Sequence, residues 1–166
     1  GFEIVMGVDP AVGIDQQNDE TSYCLLAWNR DTQERQIIYQ WTGKVKAEGA
    51  GWLKAQVDNI VSLSERYNPT KIMIESNGFQ RLVAHAAETL TGLPVSKHNT
   101  GSEKHHGQIG IPSIALKIEQ GLYKIPYAES CRKDNKVAVV SLWMCELAIQ
   151  EISKKHLSFV SWDNVL

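Results

Sequence analysis

Three apolar segments follow one another before any helical pattern begins, and this order limits the fold more than any other feature. Phe2–Val8, Thr21–Trp28 and Gln36–Trp41 are short and rich in β-branched and aromatic residues, so each reads as a strand. The polar, turn-like Asn29–Arg35 joins the second and third into a hairpin. From Trp52 the period changes. Leu53, Val57, Ile60 and Val61 recur at helical spacing, predicting a helix over Trp52–Tyr67 that Asn68-Pro69 ends. A strand follows at Lys71–Glu75. A helix over Phe79–Leu90 comes next, with an apolar stripe of Phe79, Leu82, Val83, Ala86, Ala87 and Leu90. Pro94–His98 is a weaker strand, and Gly101–Gly110 is a polar loop expected to be mobile. Ile111, Ile114, Ala115, Ile118 and Leu122 mark a further helix stopped by Gly121, and Lys136–Ile152 is a long, largely buried helix. A meander followed by helix–strand alternation predicts an α/β fold. Its mixed five-stranded sheet has the first three strands antiparallel, the later ones parallel, and helices on both faces.

Composition sets the class. Hydrophobic residues are 43% of the 166 and charged residues 22%, which excludes a disordered tail or a fibre. The length suits one domain over residues 1–166, large enough to fold without a disulfide or metal staple. No apolar run reaches the roughly 20 residues of a membrane span. The start, Gly-Phe-Glu-Ile-Val-Met, reads neither as a secretory leader nor as a native N-terminus, so a piece of a longer protein is expected. Cys24, Cys131 and Cys145 form no disulfide framework and no zinc pattern, which fits a reducing, cytoplasmic setting.

The net charge of −2 hides an asymmetry. Residues 1–34 carry seven acids and one base, whereas residues 97–136 carry seven bases and four acids. An acidic beginning and a basic middle suit a protein that holds cations in one place and phosphates in another. An uneven but merely solvated surface would look the same. No phosphate-binding loop is present, because Gly43-Lys44 is followed by Val45 and lacks the upstream glycine. Gly49-Ala50-Gly51 lacks the third glycine of a dinucleotide fingerprint. His105-His106 are adjacent, so their side chains point apart and suit phosphate or solvent better than a metal.

Three acids stand where surface charge explains them poorly. Asp9 ends the first strand in Val8-Asp9-Pro10, where Pro10 stops the strand. Glu75 ends the fourth in Ile74-Glu75-Ser76. If these strands are neighbours, both carboxylates meet at the sheet edge where open α/β sheets bind ligands. Asp163 is the third, in Ser161-Trp162-Asp163-Asn164, ahead of what reads as a helix start. Clustered hard oxygens repel one another and suit Mg²⁺ or Mn²⁺. Two such ions about 3.5–4 Å apart can activate water and stabilise the leaving oxygen of a phosphodiester. Helix-capping and turn-forming roles remain open for each acid taken singly. Asp15 and Asp19, between the first two strands, could assist, with Asp19 better suited to a turn.

A strand ending Gly7-Val8-Asp9-Pro10-Ala11, a hairpin, and a strand ending Ile74-Glu75-Ser76-Asn77-Gly78-Phe79-Gln80 before an amphipathic helix resemble the nuclease domain of phage terminase large subunits. That family belongs to the RNase H-like superfamily with the RuvC resolvases. The resemblance runs from Phe2 to Leu166. Thr100-Gly101 with Lys104, and Gly121-Leu122 with Ile125-Pro126, resemble its middle segment. The family's late motif is usually a His- or Gly-Asp-Asp stretch, whereas Ser161-Trp162-Asp163-Asn164 offers one acid.

The resemblance implies a two-metal endonuclease, with Mg²⁺ or Mn²⁺ on Asp9, Glu75 and Asp163. It would cut concatemeric double-stranded viral DNA during packaging in the host cytoplasm. An ATPase domain, a portal and a small terminase subunit are the implied partners, and no membrane. A Holliday-junction resolvase or ribonuclease H of the same superfamily shares the chemistry. A non-catalytic nucleic-acid or partner-binding module would need no metal. An actin-like sugar kinase would need a Gly-rich turn and a duplicated domain that this length does not accommodate. Lys97, Lys104, His105 and His106 flank the glycine-containing loop after the strand beside Glu75. They are the expected DNA contacts.

Overall fold

The computed structural model describes residues 1–11, 20–46, 51–125 and 139–160, the last five as backbone only. Its elements in chain order are β1 (Phe2–Asp9), β2 (Thr21–Asn29), β3 (Arg35–Gly43), α1 (Trp52–Tyr67), β4 (Lys71–Glu75), α2 (Gln80–Thr91), β5 (Val95–His98), α3 (Pro112–Glu119), β6 (Tyr123–Lys124) and α4 (Val139–Val160). The sheet order is β5-β4-β1-β2-β3-β6. β1, β2 and β3 pair antiparallel, as the sequence order requires, while β4 joins β1 and β5 joins β4 in parallel through α1 and α2. The sheet has six strands rather than the expected five. The sixth is two residues long and pairs parallel with Arg35 and Gln36 at the start of β3. Two residues carry no readable period, and the pairing rests on backbone bonds such as Arg35 N–H to Leu122 O at 2.7 Å.

Side chains alternate between two cores. Val5, Cys24, Leu26 and Met73 face α4, with Trp143, Cys145 and Ile149 packed on them. Met6, Val8, Leu25, Ile72 and Ile74 face the other way, against Ile60 of α1 and Val83, Ala84 and Ala87 of α2. Helices therefore cover both faces. Gly7 makes this close packing possible. A Cβ there would lie 1.9 Å from Ser141 O and 2.8 Å from Cys145 N, so only glycine lets α4 rest directly on β1. α4 thus starts beside the Asp9 end of β1. Its Glu151 pairs with Lys71, the first residue of β4, at 2.6 Å, so the helix runs toward the opposite end of the sheet.

Some expectations change. The α2 stripe is only partly buried: Val83, Ala86 and Ala87 face the core, whereas Phe79 is 68% and Leu90 78% exposed. α2 is a surface helix whose small residues pack on β4, leaving its larger ones outside. Leu122 lies past the α3 stop at Gly121 (φ +72°) and leads into β6 instead of continuing the helix. α4 is not uniformly apolar, because the fully buried Glu146 sits in its middle. Its carboxylate accepts from Arg35 Nε at 2.7 Å and Tyr123 OH at 2.5 Å, and pairs with Lys117. The Gly101–Gly110 loop is folded on itself around a 3₁₀ turn at Ser102–His105. Lys104 O accepts from Ile111 N–H at 2.9 Å, and Gly110 leaves no room for a Cβ.

Candidate active site

β1 and β4 are neighbours, with Val8 opposite Ile74, so Asp9 and Glu75 leave the sheet side by side. Each is the last residue of its strand. Pro10 ends β1 because it cannot donate to the ladder. The exit is then pinned from outside: Thr21 Oγ1 accepts from Ala11 N–H at 2.9 Å and from Gln56 Nε2 at 2.6 Å, while Tyr23 OH donates to Gln56 Oε1 at 2.7 Å. After Glu75 the chain turns through Ser76-Asn77-Gly78. Gly78 at φ +51° takes the left-handed conformation that an L side chain resists, which starts α2 directly over the two acids.

The turn supplies two side chains that tie the acids together. Gln80 Nε2 lies 3.1 Å from Asp9 Oδ1, 3.3 Å from Glu75 Oε2 and 2.9 Å from Pro10 O. Asn77 Nδ2 donates to Glu75 Oε1 at 3.2 Å, and its own Oδ1 accepts from Thr100 N–H at 2.8 Å. Neither Gln80 nor Asn77 was expected as a site residue. The signal was present in Glu75-Ser76-Asn77-Gly78-Phe79-Gln80, where a glycine turn must bring the following helix back over the strand end.

Electrostatics mark the pair as unusual. Burial and then the neighbouring Glu75 push Asp9 up to about 8. Glu75 moves the other way. Burial would raise it, but the hydrogen bond from Asp9, followed by Thr100, Gln80 and the charge of Lys104, brings it below the ordinary range. Near neutral pH the two therefore share one proton, held on the Asp9 side. A divalent cation would remove the reason for that proton, and the donor set fits one: two hard carboxylates beside a buried Thr100 hydroxyl that makes no fully formed hydrogen bond. Among the described residues no cluster of three His, Cys, Asp or Glu side chains of metal-binding geometry occurs. Asp163, Asp15 and Asp19 lie outside the described residues.

The expected DNA-contact residues separate. Lys104 stands close enough to the pair for its charge to act on both carboxylates. His105 and His106 are exposed on the same turn, and His106 Nδ1 accepts from Gln108 N–H at 3.2 Å. Lys97 turns away and pairs with Glu88 of α2 at 2.7 Å. His98, directly opposite Glu75 on β5, is nearer the edge: its Nε2 is 3.2 Å from Glu103 Oε1 and its ring meets Trp143 edge-on at 5.3 Å.

No protein-family model matches the chain, and no curated protein sequence does. Solved structures do. The Thermus thermophilus RuvC structure superposes with a TM-score of 0.58 at 13% identity, covering 86% of this chain and 91% of that one. The large-terminase nuclease domain of bacteriophage SPP1, with bound Mn, superposes at 0.51 and 17% identity, covering 86% and 84%. The human cytomegalovirus terminase nuclease domain, Mn-soaked, does so at 0.51 and 11%, covering 90% and 83%. This chain has an RNase H-like fold. Within that RNase H-like sheet, Asp9 and Glu75 occupy the exits of the two adjacent parallel strands. Identities this low establish the architecture and leave the activity to the residues themselves.

Proposed function

We propose that this RNase H-like chain is a metal-dependent nuclease whose reaction centre is built on Asp9 and Glu75. The observation that carries the reading is the juxtaposition of these two carboxylates under a single glutamine that bonds both. Asp9 and Glu75 would hold Mg²⁺ or Mn²⁺, and the ions would supply an activated water and stabilise the leaving oxygen of a phosphodiester. The chain's own residues do the rest. Asp9 would release its proton on holding a cation. Gln80 and Asn77 fix the carboxylate rotamers, so that the oxygens are aimed before substrate arrives. Lys104 attracts the phosphate backbone to an otherwise repelling acidic edge.

The finer reading is cleavage of concatemeric viral DNA during packaging, with double-stranded DNA as substrate and an ATPase domain, portal and small subunit as partners in the host cytoplasm. It is supported by the resemblance of the motifs around Asp9 and Glu75 and by the likeness to two terminase nuclease domains. A junction-resolving role is a second reading, favoured by the higher TM-score of the RuvC structure. Supercoiled plasmid and a four-way junction, each incubated with Mn²⁺ or Mg²⁺ and with EDTA, test both. Metal-dependent nicking and linearisation of plasmid is expected. Paired symmetric cuts confined to the junction would favour resolution over packaging, and no cleavage with either metal would refute the nuclease reading.

A further inference from the structure

A trench lies between β3 and α1, on the α1 face of the sheet, and the acid pair does not use it. It consists of two adjoining cavities of about 330 and 440 Å³ that share Trp41 and Asn59. A β-bulge creates its floor. Leu26 pairs with Ile37 and Leu25 with Tyr39, so Ile38 is an extra residue with no partner. Beyond that bulge, Tyr39 and Trp41 join the α1 side of the sheet while Ile37 stays on the α4 side. Tyr23 and Trp41 stand 5.7 Å apart between ring centroids. Trp41 and Tyr39 keep part of their surface open, whereas Tyr23 is buried beneath them.

The ends of the trench are basic. Arg66 lies at one end, its guanidinium 5.2 Å from the centre of the Tyr67 ring, and the exposed Lys46 lies at the other, past the end of β3. Neither pairs with a carboxylate among the described residues. The one acid on the wall, Asp58, is neutralised by Lys54 at 2.5 Å. The eleven helical steps of α1 from Ala55 to Arg66 make the trench about 16 Å long. It opens at the reactive end of the sheet: Asp9 is level with Ser22, and Ser22 with Thr42, so Thr42 sits two strands, about 10 Å, from Asp9.

We propose that this trench binds a single-stranded stretch of nucleic acid leading away from the acid pair. Its bases would stack on Trp41 and Tyr39 and its phosphates would lie on Lys46 and Arg66. Only unpaired bases present free faces to such a floor, and a floor of aromatic rings between cations is how strand binders hold them without reading sequence. The inference deepens the nuclease reading and rests on it.

The test uses the whole 166-residue chain and fluorescein-labelled dT12 in EDTA, so that binding is read by anisotropy without cleavage. Trp41→Ala and Arg66→Ala should each weaken dT12 about tenfold. The arginine change, on the exposed surface, should also flatten the salt slope by about 0.7, the share of one single-strand phosphate. Circular dichroism melts check that both variants fold, and Arg66→Ala keeps the test decisive if Trp41→Ala does not. Asp9→Asn should bind dT12 at least as tightly as wild type. Wild-type affinity and slope in Arg66→Ala would overturn the proposal and leave the trench to a peptide or to no ligand. A wild-type chain that nicks plasmid but ignores dT12 overturns the trench alone, whereas one that does neither overturns the nuclease reading as well.

Discussion

Asp9→Asn separates the chemistry of the acid pair from its cost to the fold. Asn conserves shape and hydrogen bonding but cannot ionise, so it mimics protonated Asp9 at every pH. In the metal-free wild type the folded Asp9 carboxyl holds its proton up to about 8, whereas the unfolded chain releases it near 3.8. The sign follows: this group favours folding fully below about pH 4, and that support is lost as pH rises to about 8. Four pK units bound the loss at roughly 6 kcal/mol. Glu75, held below its ordinary range, returns part of it. At 2–4 °C per kcal/mol for a chain this long, that bound corresponds to roughly 12–24 °C, and metal-free Asp9→Asn should melt above wild type at pH 8 by less than this. The gap should close by pH 4–5. Adding Mn²⁺ at 100 times its dissociation constant should raise the wild type by about 2.7 kcal/mol and leave the variant unmoved, narrowing the difference. Plasmid nicking should vanish in the variant throughout. The measurements are calorimetric melts across pH in EDTA and in Mn²⁺. A variant less stable than wild type at pH 8, or a gap independent of pH, would refute the shared proton. Equal stabilisation of both by Mn²⁺ would refute Asp9 as a ligand.

Lys104→Ala should reduce the salt dependence of duplex DNA binding by about 0.9, one phosphate contact. It should also move the acid limb of the cleavage profile to higher pH, because Lys104 lowers both carboxylates. An unchanged slope would place the duplex elsewhere. Glu146→Leu should cost about 3–5 kcal/mol by stranding the buried Arg35, a fall of about 6–20 °C in Tm, with plasmid nicking retained at low temperature. Burial would raise the Glu146 carboxyl, but Arg35 and Lys117 hold it below its usual range. Its support is therefore present above the ordinary carboxylate pKa and lost as pH falls, and the deficit should shrink in acid. A pH-independent deficit would mean that packing, not charge, is what was lost. A third acid can be sought by substitution. α4 begins over Gly7, and the nineteen helical steps from Ser141 to Val160 carry its axis about 28 Å toward the opposite end of the sheet. In the sequence Asp134 precedes α4 and Asp163 follows it. Asp163→Asn and Asp134→Asn, each compared with Asp9→Asn in plasmid nicking, identify it: a loss equal to that of Asp9→Asn marks the third ligand, and wild-type nicking in Asp163→Asn would remove Asp163 from the set.

Local sequence determined the strands and the places where they end. Phe2–Asp9 and Lys71–Glu75 are apolar runs closed by a carboxylate and then by Pro10 or by a glycine turn. Apolar periodicity and turn chemistry act within a few residues, so such boundaries are legible in a linear chain. The same logic placed the hairpin and the helical crossovers, and with them the pairing of β1 with β4 that brings Asp9 to Glu75. Tertiary structure decided what depends on distant partners. β6 exists because Leu122 and Tyr123 meet the start of β3, 87 positions apart in the Arg35–Leu122 bond, and no two-residue period could announce it. Glu146 is a buried ion in the middle of α4 because Arg35, 111 residues away, reaches it. Lys104 and Lys97 look equivalent in sequence, yet one faces the acids and the other Glu88, because strand alternation and the loop's 3₁₀ turn aim them differently. The trench depends on one unpaired residue, Ile38, which reassigns the face of every side chain after it. A strand's side-chain period is two, so a single inserted residue reverses which core each later side chain meets, and only the pairing register of the folded sheet records it.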